Sequence, residues 1–180
     1  MRTIKSETIT ETIKELCIKG ACHLPTDVYN RLLDAISTED SPVSKHTLEI
    51  LKENADIASQ NQEPICQDTG MACIFVEIGQ EVYVEGNLTE AINEGVRQGY
   101  TEGYLRKSVV DDPVFDRINT KDNTPAIIHY DIVPGDKLKI TVAPKGFGSE
   151  NMCQVKMLKP SDGIEGVKDF ILKVVEDAGP

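Results

Sequence analysis

The chain has 180 residues, 39% hydrophobic and 27% charged, and thirty Asp and Glu against nineteen Lys and Arg give a formal net charge of -11. Such a charge argues against a surface that coats nucleic acid or an anionic membrane. The composition is that of an ordinary globular protein rather than a disordered acidic tail, and the length suits one compact domain or two small lobes.

No stretch carries the roughly twenty apolar residues of a membrane span, and the start, MRTIKSETITETIKELCIKG, is a charged amphipathic segment without a signal peptide's apolar centre. A cytoplasmic setting is expected. Five cysteines at irregular spacings fit free thiols or metal ligands better than disulfides in a chain of this size.

Ile4, Ile9, Ile13, Leu16 and Cys17 fall near helical spacing and predict a first helix. Pro25 opens a second segment, with Val28, Leu32 and Ile36. A third starts after Ser41-Pro42 and runs through Leu48, Leu51, Ala55 and Ala58 to the polar stretch before Pro64. Met71 to Ile78 is nearly all apolar between two glycines and predicts a strand buried on both faces, with Gln80 to Glu85 pairing back on it. Asn87 to Glu90 has the spacing of a helix cap, and a helix is expected from there through Lys107.

Ala126 to Val133 and Lys137 to Val142 predict two strands joined at Pro134-Gly135-Asp136, the second with one wet face. Met152 to Leu158 predicts another strand, and Ile164, Val167, Phe170, Ile171, Val174 and Val175 a last helix ended by Gly179-Pro180. The sum is an α+β fold, with a helical part over residues 1–63 packed on a mixed, largely antiparallel sheet with additional helices over 64–180.

Three segments concentrate chemically useful groups. Cys66-Gln67-Asp68-Thr69-Gly70 compresses a thiol, an amide, a carboxylate and a hydroxyl into a turn ahead of a strand, where a rigid element can fix their aim. The plain alternative makes Cys66 a small buried hydrophobe and the rest a turn. On the helix from Leu88 to Lys107, Leu88, Ile92, Gly95, Gly99, Gly103 and Arg106 share one face. The glycines there suggest close approach of another backbone, and Arg106 suits a planar anion unless it pairs with Asp111 or Asp112.

Lys145 to Asn151, with Gly146 and Gly148, can offer backbone N–H groups to a carboxylate or form a simple turn. Cys17, Cys73 and Cys153 read as core residues. Cys22-His23 lacks the second pair of a structural zinc site. His46 reads as a surface residue and His129 as a strand residue.

The segments CQDTG (Cys66 to Gly70), LRKSVVDDP (Leu105 to Pro113) and PKGFGSENM (Pro144 to Met152), in this order, resemble class I iron-sulfur fumarate hydratases and L(+)-tartrate dehydratases, in the N-terminal portion of the alpha subunit. The resemblance implies a 4Fe-4S hydro-lyase acting on a four-carbon dicarboxylate. Cys66 would be one of three cluster ligands, the other two lying outside this chain. Gln67 and Asp68 would contact substrate, Asp68 with a part in proton transfer. Arg106 would clamp a carboxylate, and the loop of Gly146 and Gly148 would add a contact.

It further implies a beta subunit, or a C-terminal region of the same enzyme, that contributes the remaining basic residues and a catalytic hydroxyl, and an oligomeric complete enzyme. The chain by itself would be inactive. Two other classes are compatible with the residues: a module that binds a dicarboxylate through Arg106 and the 146–149 loop without reacting it, and an enzyme using Cys66 as a nucleophile activated by His129.

Overall fold

The structure, a computed structural model, describes residues 1–179, the side chains of Ser149 and Glu150 excepted. The chain divides into two compact units, Met1–Lys145 and the segment from Gly146 on. The first contains β1 (Arg2–Lys5), α1 (Ser6–Cys22), α2 (Thr26–Thr38), α3 (Pro42–Asn61), β2 (Met71–Gly79), β3 (Val82–Glu85), α4 (Leu88–Glu102), β4 (Ile127–Val133) and β5 (Leu138–Lys145). The second contains short 3-10 turns at Ser149–Met152 and Pro160–Asp162 and the helix α5 (Gly163–Ala178). The fold class is α+β.

Sheet pairing departs from expectation. β2 is the centre of a three-stranded sheet, parallel to β4 and antiparallel to β5, and β1 pairs parallel with β3. The sheets are mixed, but antiparallel pairing does not dominate. β4 and β5 are not a hairpin, because residues 134–137 cross the end of β2, where the Gly79 N–H donates to Lys137 O (2.8 Å) and the Gln80 N–H to Val133 O (2.9 Å). A Cβ on Gly79 would stand 2.3 Å from Gly135 O, so only glycine admits that crossing. With both edges of β2 occupied, β3 turns away and takes β1 as partner. Ile4 therefore lies in a strand, and the helical periodicity proper begins at Ile9.

The core sits between one sheet face and two helices. Ala72, Ile74 and Val76 of β2 alternate inward against Ile9, Ile13 and Cys17 of α1 and Ile92, Val96 and Tyr100 of α4. Both helices cover that single face. β2 is thus not buried on both sides, and Phe75 points the other way, 45% exposed and stacked on His129.

The glycines of α4 seat α1. A Cβ on Gly95 would lie 2.6 Å from Ile13 Cβ and 2.7 Å from Thr10 O, and one on Gly99 would lie 2.8 Å from Cys17 Cβ. The Asn87 side chain accepts the Glu90 N–H and starts the helix, but α4 stops at Glu102. Gly103 donates back to Gly99 O and Tyr104 adopts φ +53, which reverses the chain before Lys107. Residues 153–159 likewise form no strand, since their unit offers only a helix and turns.

We expect Gly95→Ala to lower the unfolding free energy by about 1–3 kcal/mol, although alanine is the better helix former by about 1 kcal/mol. Urea unfolding reads this directly. An unchanged or higher midpoint would mean that α1 and α4 can part without loss.

Candidate functional site

The Cys66–Gly70 turn is held at both ends. Before it, the Ile65 N–H donates to Ala21 O at the end of α1 (2.9 Å), and Ile65 O accepts from Asn54 Nδ2 of α3 (2.9 Å). Within it, the Asp68 N–H points to Cys66 Sγ (3.4 Å) and the Gly70 N–H donates to Asp68 Oδ1 (3.0 Å). Gly70 has φ +56, a left-handed residue that turns the chain into β2.

Beyond it lies a buried knot. Thr69 Oγ1 donates to Arg106 O (3.0 Å), and Tyr100 Oη donates to Thr69 O (2.8 Å). Asn123 Nδ2 donates to Gly70 O (3.0 Å) while Asn123 Oδ1 accepts the Ser108 N–H (2.8 Å) and the Val109 N–H (3.1 Å). The motif at Cys66 and the motif at Arg106, far apart in sequence, are therefore neighbours. Burial in the knot pushes the Tyr100 phenol well above its usual range, so it remains a donor.

The segment carrying Asn123 is tied to α4 by its neighbour. Arg97 Nε donates to Asp122 Oδ2 (3.0 Å), and Asp122 Oδ1 accepts the Thr124 N–H (3.0 Å) and hydroxyl (2.7 Å). Burial works against the Asp122 anion, but the Thr124 donors and Arg97 outweigh it and hold the pKa at about 2.

Cys66 and Gln67 are exposed and Asp68 is half-buried. The buried-hydrophobe reading of Cys66 is thus overturned. Arg106 is exposed as well, not on a buried helical stripe, because α4 has ended and Leu105 takes the inward position. It forms no ion pair with a described residue. Asp112, one of its expected partners, instead accepts the N–H groups of Val114 (2.8 Å) and Phe115 (3.0 Å). Gly146 and Gly148 open the second unit, in a bend ahead of a turn closed by the Asn151 N–H on Gly148 O (3.3 Å).

Cys17 is buried in the core as expected, and its thiol is pushed up to about 12 by burial. Cys73 is only half-buried, on the sheet's outer face. Cys153 is exposed, since the strand meant to bury it is absent. His129 stacks on Phe75 with ring centroids 5.0 Å apart and makes no hydrogen bond to Cys66. His23 lies between Ser59 Oγ (2.9 Å from Nδ1) and Gln62 Nε2 (3.2 Å from Nε2), on a pocket of about 260 Å³ that includes neither Cys66 nor Arg106.

Among the described residues no three His, Cys, Asp or Glu side chains gather closely enough to hold a metal ion. None of the helices there is long and apolar enough to cross a membrane. Sequence reasoning missed Asn123 and Tyr100, the two side chains that lock the turn. Asn123 stands in the polar run Lys121 to Pro125 and Tyr100 among the apolar residues of α4, and neither residue type by itself announces a link between distant backbones.

The fumarate hydratase (Fumerase) family model matches residues 10–180. The chain belongs to that family. It is 41% identical over 176 residues to a Methanocaldococcus jannaschii protein named as an L(+)-tartrate dehydratase subunit alpha, covering 95% of this chain and 62% of that one. L(+)-tartrate dehydratase subunit alpha of Escherichia coli strain UTI89 is 30% identical and that of strain K12 29%, each over 92% of this chain and 55% of theirs. The chain thus spans between about half and two thirds of the length of these relatives.

Two outcomes check the site's description. A maleimide should label Cys66 and Cys153 of the folded chain rapidly and spare Cys17 and Cys22 until it unfolds; peptide mapping reads this, and early labelling of Cys17 would contradict the core. Because the folded pKa of Asp122 lies below the unfolded carboxylate value, its contribution is complete above about pH 4 and is lost as pH falls through about 2. The stability gap between wild type and Asp122→Asn should narrow over that window, and a gap independent of pH would contradict the Arg97 and Thr124 contacts.

Proposed function

We propose that this chain contributes part of the active site of an iron-sulfur hydro-lyase that adds water to, or removes it from, a four-carbon dicarboxylate, fumarate/malate or tartrate/oxaloacetate. The observation that carries the reading is the juxtaposition of an exposed thiol and an exposed guanidinium on two segments welded by the same buried knot. Membership of the fumarate hydratase family and similarity to proteins named as tartrate dehydratase alpha subunits support it.

Arg106 binds one substrate carboxylate, where its planar fork matches two oxygens and counters the repulsion a dianion meets from a chain of net charge -11. Gln67 offers an amide donor and acceptor to the substrate, fixing its orientation. Asp68 takes part in proton transfer at the carbon next to the departing or arriving hydroxide. By the family resemblance, the loop of Gly146 and Gly148 is a further candidate for binding a substrate carboxylate.

Cys66 suits one ligand position of a 4Fe-4S cluster, being an exposed thiol on a turn fixed at both ends. Such a cluster, when bound, supplies a Lewis acid for the substrate hydroxyl and carboxylate. The resemblance places the other two thiolates on polypeptide outside this chain. Cys66, Gln67 and Arg106 all face solvent, and a beta subunit, or a C-terminal region of the same enzyme, closes the site and adds the remaining basic groups and a catalytic hydroxyl. The complete enzyme pairs such units in a reducing cytoplasm, where cluster thiolates survive.

The test uses the complete alpha subunit co-expressed with its beta partner and reconstituted anaerobically with iron and sulfide. Hydration of fumarate or dehydration of tartrate should require Cys66, and Arg106→Gln should cut kcat/KM by roughly 10- to 100-fold, as loss of a charged hydrogen-bonding partner implies. Equal activity of wild type and Cys66→Ser would overturn the reading. Residues 1–180 alone should neither retain a cluster nor turn over substrate.

A further inference from the structure

We infer that Asn123 is a positioning residue for this site, setting the spacing between the Cys66–Asp68 turn and Arg106 through one side-chain amide. What the spacing serves rests on the hydro-lyase reading above; the link itself rests on geometry.

Asn123 is fully buried and none of its polar atoms lacks a partner. Its carbonyl oxygen takes two consecutive N–H groups, those of Ser108 and Val109, which follow Arg106 by two and three positions. Its amide nitrogen donates to the carbonyl of Gly70, four positions after Cys66. The nearest of these partners is 14 residues away in sequence and the farthest is 53. A short side chain thus bridges two backbones that carry the exposed chemical groups.

The residue type is narrowly specified. The bridge needs an acceptor with two free lone pairs on one atom and a donor on the next, at the length of one methylene. Aspartate has the shape but no donor when ionised. Glutamine is a methylene too long, and serine or threonine offers one atom where two are required. The backbone adds a second constraint, since Asn123 has φ +62, a left-handed conformation that asparagine tolerates better than most residues.

Two further hydrogen bonds reinforce the bridge without replacing it: Thr69 Oγ1 to Arg106 O, and Tyr100 Oη to Thr69 O. Among the described residues, Asn123 is the side chain from outside the two segments that hydrogen-bonds to both, at Gly70 on one and at Ser108 and Val109 on the other. It touches neither thiol nor guanidinium and acts only through the backbones that hold them.

The decisive variants are Asn123→Asp, which keeps shape, φ tolerance and both accepted bonds, and Asn123→Gly, which keeps the backbone conformation and removes the bridge. Backbone NMR on the chain should show Asn123→Asp shifting the Gly70 carbonyl 13C resonance, which loses its donor, while the Ser108 and Val109 amides stay protected from exchange; Asn123→Gly should move the Gly70 carbonyl and speed exchange of both amides by about tenfold or more. In the reconstituted complex, kcat/KM of correctly folded Asn123→Asp enzyme should fall by about tenfold to a hundredfold, the scale of a misplacement near one ångström.

An unmoved Gly70 carbonyl resonance in both variants, or kcat/KM that tracks only the folded fraction, would overturn the inference and reduce Asn123 to a core polar residue. If the wild-type complex acts on no dicarboxylate, the hydro-lyase reading fails by itself, and the carbonyl shift and amide exchange on the chain decide whether Asn123 positions the two segments.

Discussion

The buried hydrogen bonds among Thr69, Tyr100, Asn123 and the backbones of Gly70, Arg106, Ser108 and Val109 are the constraint on which the exposed groups depend. Cys66, Gln67 and Arg106 have little packing of their own, and an exposed side chain is aimed only as well as its backbone is fixed. In a dry setting an unpaired backbone carbonyl or N–H costs about 1–3 kcal/mol, so the knot resists partial opening. That resistance passes to the turn and to the arginine segment, which tertiary hydrogen bonds hold in place of regular secondary structure.

The knot in turn depends on how α4 is packed. Tyr100 reaches Thr69 because α4 lies flat against α1, with Gly95 and Gly99 leaving room for Ile13 and Cys17. Arg97, on the same helix, holds Asp122 and thereby the segment that brings Asn123 inward. One amphipathic helix therefore does two tasks: its apolar face completes the core under β2, and two of its side chains organise the loops at the strand's entrance. The exposed chemistry is placed where β2 begins, at the junction of a loop with a central strand.

What could be read from the sequence divides along physical lines. Helices were legible where apolar spacing and a boundary residue agree, as in α2 after Pro25, α3 after Ser41 and α5 before Gly179, and so was the glycine face of α4, since glycines recurring every four residues signal a close backbone neighbour. Strand identity was legible for β2 to β5 but not for β1 or for residues 153–159, and partnership was not: nothing local in Pro134-Gly135-Asp136 reveals that the turn straddles β2, and nothing in Val82 to Glu85 points to Arg2 to Lys5. The end of α4 was hidden because Tyr104, a residue that seldom takes a positive φ, makes the reversal. Of the site, the motif at Cys66 and Arg106 stood out by residue type, whereas Asn123 was invisible, because an asparagine in a polar loop looks the same whether it faces water or joins two distant backbones.

The Cys66 turn and the Arg106 segment form one rigid support, and backbone 15N relaxation on the chain is the direct check of that rigidity. Order parameters for Asp68, Thr69, Gly70, Ser108 and Val109 should lie near 0.85, the level of rigid secondary structure. Values below about 0.6 in either segment, with β2 and α4 rigid, would contradict the claim, since a turn and an arginine that move independently cannot hold a thiol and a guanidinium at a fixed spacing.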